Sequence, residues 1–352
     1  MAFGLALALG LTCAASHAVA ASGPDPAPVL RGFNLGARGP APLTAKDHAD
    51  LAAYGANVVR IGVNVPVSAS GQAFDMAETE WQFIDRTVAM GRRFGFKVIL
   101  ALVPLPLGEA AVHWNRPELE ASLVDIWARL AARFKGDTVI AGYDLINEPV
   151  VTEDRNGNPW RDLAVKIIRA IRAQDADSIV IFEPSPWGLP KGFEQLTPLP
   201  FSGVVYSFHF YEPHALTHQG LYEHRAAFSY PSEVASKASL WRAVEPVRAF
   251  ARKYSVPIFV GEFSVVRWAP DGSAARYLGD AIELFETEGW GWAYHAFREY
   301  EGWDAELDPS LPRGARGTRS GNATAIRLLV ERGFSKNRRV VSGRFRWPAA
   351  RP

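Results

Sequence analysis

Cysteine is almost absent: one occurs in 352 residues, at position 13. Cys13 lies inside the apolar opening stretch "MAFGLALALGLTCAASHAVAA", so a chain cleaved after Ala20 would carry no thiol and no disulfide. Excess charge is missing too. Lys plus Arg number 38 and Asp plus Glu 37, leaving +1, so no global field draws nucleic acid or an anionic membrane. Beyond the opening stretch there is no apolar run long enough to span a bilayer. No GxGxxG follows a strand-like run, and no His-x-His or carboxylate–His spacing closes one, so neither a cofactor nor a metal is expected. Ser/Thr/Pro linkers, short repeats and low-complexity blocks are also lacking, which argues against an appended module.

What is present is a hydrophobic fraction of 48% with 12% aromatic residues, ample for a large core. Residues 1–20 have the length and small-residue ending of a signal peptide, which implies a secreted or periplasmic protein. The basic start usual for such signals is absent; a short membrane anchor and a lipidated Cys13 are the alternatives. Residues 21–28 form a proline-rich lead-in, residues 29–337 one catalytic domain, and residues 338–352 a basic tail expected to be solvated.

Eight strand-like runs alternate with amphipathic stretches: "LRGFNLG" from Leu30, "NVVRIGV" from Asn57, "KVILALV" from Lys97, "VIAGYDLIN" from Val139, "IVIFEP" from Ile179, "GVVYSFHFY" from Gly203, "PIFVGEFS" from Pro257 and "WGWAYHAF" from Trp290. In "RPELEASLVDIWARLAARF", Leu119, Leu123, Ile126, Trp127, Leu130 and Phe134 repeat at the helical period. A second helix, "SLWRAVEPVRAFARKY", should kink or restart at Pro246. Eight strand-then-helix units predict an α/β fold, a (β/α)8 TIM barrel; a doubly wound open sheet is the alternative.

In such a barrel, function sits at the carboxyl ends of the strands. The polar residues there are Arg60 on strand two, Asn147 and Glu148 closing strand four, His209 and Tyr211 on strand six, Glu262 on strand seven and His295 on strand eight. A charged residue ending an apolar strand costs several kcal/mol if unpaired, so two glutamates placed this way suggest paired work. Two carboxylates facing each other across a cleft suit glycoside hydrolysis, one holding a proton and the other ionised. Strand parity puts His295 at the inner rim with Gly291 and Ala293, and Trp290, Trp292 and Tyr294 beneath the helices. Asp144 should point inward one layer deeper, paired with Arg60. Of the loop residues Trp114, Trp160, Trp187, Trp268 and Trp303, two are expected on the sugar; His113 is read as an exposed loop residue.

The ordered set "RGFNLG", "NVVRIGV", "YDLINEP", "FHFYEP" and "PIFVGEFS" resembles a family 5 glycoside hydrolase, cellulase-like and retaining, over about residues 29 to 334. The resemblance implies Glu148 as acid/base and Glu262 as nucleophile, an order that the residues alone leave open. It also implies that Asn147 binds the sugar's 2-hydroxyl and the nucleophile, that Arg60 and Tyr211 contact the nucleophile, and that His209 lies beside the acid/base. Arg60, Asn147, His209, Tyr211, His295 and Trp303 are thus the expected substrate-binding set. Two departures stand out. Strand three, "LALVPLPLG", lacks the family's His, and His295 falls about where strand eight would carry a Trp platform, which Trp303 could replace. The expected activity is cleavage of a β-1,4-linked glucan by a monomer. A mannan, a xylan or an exo-β-glucoside is the alternative substrate. A binding barrel without catalysis and a Schiff-base aldolase are the rival classes, and no strand ends in the Lys that the aldolase needs.

Overall fold

The computed structural model describes Met1 and residues 28–36, 43–66, 76–105, 117–150, 159–221, 227–314, 322–338 and 343–348. The leader with Cys13 and the loop carrying His113 and Trp114 lie outside the described residues.

In chain order the elements are β1 (Arg31–Gly36), α1 (Ala45–Ala53), β2 (Val58–Pro66), α2 (Glu78–Phe94), β3 (Lys97–Leu105), α3 (Pro117–Arg133), β4 (Ile140–Asp144), α4 (Pro159–Gln174), β5 (Val180–Phe182), β6 (Val204–Phe210), α5 (His214–Thr217), α6 (Lys237–Ala243), α7 (Glu245–Tyr254), β7 (Ile258–Phe263), α8 (Ser273–Glu288), β8 (Gly291–Tyr294) and α9 (Ala325–Phe334). Every strand pairs in parallel with its sequence neighbours, and β1 pairs with β8, so the sheet is a closed eight-stranded barrel. This is the (β/α)8 fold, and the open sheet is excluded. The helix divides at Pro246 as expected: α6 ends at Ala243, and α7 restarts with the proline in its first turn, where a missing N–H costs nothing.

Two apolar compartments result from the alternation of side chains along each strand. Inside the barrel lies a layer with one residue from each strand or its lead-in: Leu30, Val58, Ile99, Ala141, Ile181, Val205, Phe259 and Ala293. Outside it, the helical stripes pack on the strands; Leu123, Trp127 and Leu130 of α3 are fully buried. Ala293 faces in, while Trp292 stacks on Phe334 of α9, so β8 has the predicted parity.

The tail departs from expectation. Phe345 and Trp347 pack under the inner layer, Trp347 donating through Nε1 to the Ala141 carbonyl at 3.0 Å, and Arg344 pairs with Asp175 at 2.6 Å. Residues 343–348 therefore close the lower mouth of the barrel. The apolar lower layer needs cover, and alternation in "RFRW" turns the aromatics inward and the arginines outward.

Candidate active site

Arg60 stands near the centre of the upper mouth, only 2% exposed. Its guanidinium has five N–H donors, and five acceptors meet it. Nε donates to Asp144 Oδ2 at 2.8 Å, Nη1 to Asn34 Oδ1 at 3.0 Å and Glu262 Oε1 at 2.8 Å, and Nη2 to Asn147 Oδ1 at 2.9 Å and Glu183 Oε1 at 2.8 Å. Asp144 is thus the inward partner that the sequence predicted. Because Arg60 takes the Asn147 oxygen, the amide nitrogen is the group of Asn147 left for the cleft.

Glu148 lies just beyond β4. Its φ of 51° is in the left-handed region that non-glycine residues avoid, although Leu145 and Asn147 just before it still donate to the Ile181 and Leu102 carbonyls at 3.1 and 2.8 Å. The conformation is held by its backbone N–H, which donates to Glu183 Oε2 at 2.9 Å. Its carboxylate meets His209, whose Nδ1 lies 2.8 Å from Glu148 Oε1. Glu262 is next to last in β7, held by Arg60 and by the Tyr211 hydroxyl, which donates to Oε2 at 3.0 Å. Between β6 and β7 the register shifts at Phe208/His209, beside Gly261. A Cβ on Gly261 would come within 2.6 Å of Ser207 Oγ and 3.1 Å of His209 Nε2, so glycine is what admits the imidazole there.

Glu148, His209 and Glu262 each offer an atom within 4.8 Å of the others. Such a trio could in principle grip a cation, but its electrostatics favour another use. His209 is completely buried, and although burial opposes its charge, Glu183, Glu262 and Glu148 together raise its pKa well above 6.5. A charged imidazole offers no lone pair to a metal. The two glutamates diverge. Burial raises Glu148, and the nearby Glu262 and Glu183 add to it against the opposing pull of His209. Burial also pushes Glu262 upward, but the electrostatic pull of His209, His295 and Arg60 and the Tyr211 hydrogen bond hold it down at about 2. One carboxyl therefore keeps its proton more readily while its neighbour stays ionised.

These groups open into a cleft of about 700 Å³ whose walls include Asn34, Asn64, Val103, Trp187, His214, His218, His295, Glu299 and Trp303. A sequence profile of Cellulase (glycosyl hydrolase family 5) matches residues 21–301. The chain belongs to glycosyl hydrolase family 5. Endoglucanase C of Acetivibrio thermocellus is 22% identical over 294 residues, 74% of this chain and 85% of the relative. Cellodextrinase A of Ruminococcus flavefaciens is 24% identical over 257 residues, 69% and 75% of the two chains. The crystal structure of a mutant Thermotoga maritima Cel5A in complex with cellobiose superposes with a TM-score of 0.69 at 20% identity, covering 86% of this chain and 96% of that one. The protein is accordingly a glycosyl hydrolase with a family 5 barrel.

The sequence-predicted residues of this family 5 enzyme fall into two groups. Arg60, Asn147, Glu148, Tyr211, Glu262, His295 and Trp303 all line the cleft. His209 does not: it is sealed beneath the two glutamates, bound to Glu148 and 3.1 Å from Glu183 Oε1, so it cannot serve as the sugar contact expected of it. His295 sits with Nδ1 3.6 Å from Glu262 Oε2, and its ring meets Trp303 edge-on at 5.3 Å. Val103 occupies the strand-three position where a polar donor is missing.

Among the loop tryptophans, Trp187, 38% exposed, and Trp303 line the cleft. Trp160 lies not in a loop but in the first turn of α4, fully buried, stacked on Phe182 and donating to the Glu183 carbonyl at 2.7 Å, and Trp268 donates to the Gln219 carbonyl at 2.8 Å; both are structural. Sequence reasoning missed Asn34 and Glu183. Both end or interrupt apolar strands, the same signal that exposed Glu148 and Glu262.

Proposed function

We propose that this family 5 enzyme hydrolyses β-1,4-linked glucan by retaining double displacement, with Glu148 as acid/base and Glu262 as nucleophile. The observation that carries the reading is the close approach of two carboxylates, with oxygens within 4.8 Å, whose surroundings push their proton affinities in opposite directions. Retaining enzymes hold the pair at about 5–5.5 Å, whereas inverting ones leave about 6.5–9.5 Å for a water.

In the first step Glu262 attacks the anomeric carbon while Glu148 protonates the departing glycosidic oxygen. The glycosyl-enzyme ester is then opened by water, from which Glu148 takes a proton. Arg60 and Tyr211 each bind one oxygen of Glu262, fixing its attack geometry, and the Asn147 amide is placed to bind a sugar hydroxyl. Relatives named endoglucanase and cellodextrinase, and a neighbour holding cellobiose, support glucan as the substrate. Val103 and His295, standing where a polar donor and a sugar platform would be expected, favour a second reading in which the same chemistry acts on a mannan or a xylan. A polymeric substrate also suits an exported enzyme, as the opening apolar stretch suggests.

The test is release of reducing ends from a panel of soluble β-glucan, mannan and xylan. Wild type should act first on the glucan, and Glu262→Ala should lose at least about 10⁴-fold, as expected when a covalent catalyst is removed. Retained activity in Glu262→Ala would sink the proposal.

A further inference from the structure

Glu183, the residue just after β5, is a further buried carboxylate at the site. It is completely buried and does not reach the cleft, so it cannot touch substrate. Its simplest role would be a counter-ion for Arg60. A carboxylate with that role alone commonly sets both oxygens on the guanidinium fork. Here the oxygens are divided. Oε1 accepts from Arg60 Nη2 at 2.8 Å and lies 3.1 Å from His209 Nε2, while Oε2 accepts the Glu148 backbone N–H at 2.9 Å.

His209 completes the arrangement, since its Nδ1 lies 2.8 Å from Glu148 Oε1. We propose that Glu183 is the positioning residue of the acid/base, gripping Glu148 at both ends: directly at its left-handed backbone, and through His209 at its carboxyl group. The inference rests on the assignment of Glu148 as acid/base.

The surroundings are built for this grip. Trp160 fixes the Glu183 backbone by donating to its carbonyl. Gly188, at φ +63°, approaches so closely that a Cβ would stand 2.9 Å from Glu183 Oε2, and its carbonyl accepts from the His209 N–H at 2.9 Å. A glutamine at 183 could not substitute. Two donors, Arg60 Nη2 and the Glu148 backbone N–H, take separate oxygens, with His209 Nε2 3.1 Å away, and an amide has one acceptor oxygen and an NH2 that would oppose one of the two donors.

The experiment compares kcat/KM on a soluble β-1,4-glucan with kcat/KM on dinitrophenyl β-cellobioside, whose leaving group departs without a proton. Misplacing the acid should harm only the first reaction, whereas general damage to the barrel should harm both. Glu183→Gln should lose about 10²–10⁴-fold on the glucan, the usual worth of acid–base catalysis, and less than about tenfold on the aryl glycoside. Equal losses on both, or no loss on the glucan, overturn the inference. Glu148→Ala is the control. If it shows no such split, the acid/base reading itself fails; if it splits and Glu183→Gln does not, only the role of Glu183 falls. Should melting show Glu183→Gln unfolded, Glu183→Asp serves the same comparison, keeping the charge but drawing the oxygens back from Glu148.

Discussion

At the residue scale, chemistry is set by unequal neighbours. Glu148 and Glu262 are both crowded away from water, yet Glu262 is bound by a guanidinium and a phenol while, among the described residues, the Glu148 carboxylate meets His209, which also serves other carboxylates. With Glu262 held at about 2 and Glu148 raised above 4.5, kcat/KM should form a plateau. It should fall at acid pH as Glu262 gains its proton, and at higher pH as Glu148 loses its own. The alkaline limb should be present on a soluble β-1,4-glucan and absent on dinitrophenyl β-cellobioside, as read from pH–rate profiles on the two substrates. Stability follows the same signs. The lowered Glu262 contributes stability that is present above pH 4.5 and lost as pH falls toward about 2. The raised His209 contributes stability that is fully present below 6.5 and lost as pH rises through its folded value.

Much of this residue set was legible because charged and amide side chains interrupt strands that are otherwise apolar. Glu183 obeyed the same rule in "IVIFEP". Its role stayed hidden because it depends on which donors lie across the barrel, and strand periodicity does not report that. His209 shows a related gap, since parity tells inward from outward but not how deep an inward ring lies.

At the element scale, strand positions were readable from apolar runs, but their ends were set by tertiary events. β4 is regular only to Asp144, although Leu145 and Asn147 still donate to carbonyls of the neighbouring strands' segments, and β8 ends at Tyr294 just before His295. Loops carried the least signal. The segment after β8 that brings Trp303 to the cleft is shaped from another loop by Arg267, fully enclosed after β7. Arg267 donates to the carbonyls of Glu301 at 3.0 Å, Asp308 at 3.0 Å, Leu311 at 2.7 Å and Pro312 at 3.1 Å, and to Glu301 Oε2 at 2.6 Å. Removing it strands buried acceptors and an acid. Arg267→Ala should cost about 3–5 kcal/mol in urea unfolding. In kinetics it should raise KM more than it lowers kcat, since Trp303 borders the cleft and is absent from the Arg60–Glu148–Glu262 network.

At the scale of the whole molecule, the barrel separates function from closure. The carboxyl ends of the strands hold the cleft, and the opposite end is sealed by Phe345 and Trp347. The tail's basic composition hides its alternation, in which Phe345 and Trp347 turn inward and Arg344 and Arg346 outward. Phe345, 5% exposed, should cost about 3–5 kcal/mol as Phe345→Ala in thermal or urea unfolding while leaving kcat/KM unchanged, because it lies at the far end from the cleft. The eight strands and most of the helices between them were readable, the β5–β6 connection holding only a short 3-10 turn at Pro190–Phe193, and with them the end of the barrel where the site would lie.

The central claim is that Glu262 bonds to the sugar while Glu148 moves the proton. Its most direct test is to inactivate the enzyme with a 2-deoxy-2-fluoro-β-cellobioside bearing a good leaving group, digest it and locate the adduct by mass spectrometry. The account predicts one fluoroglycosyl group, on Glu262. A label on Glu148, or turnover without any covalent adduct, would contradict it.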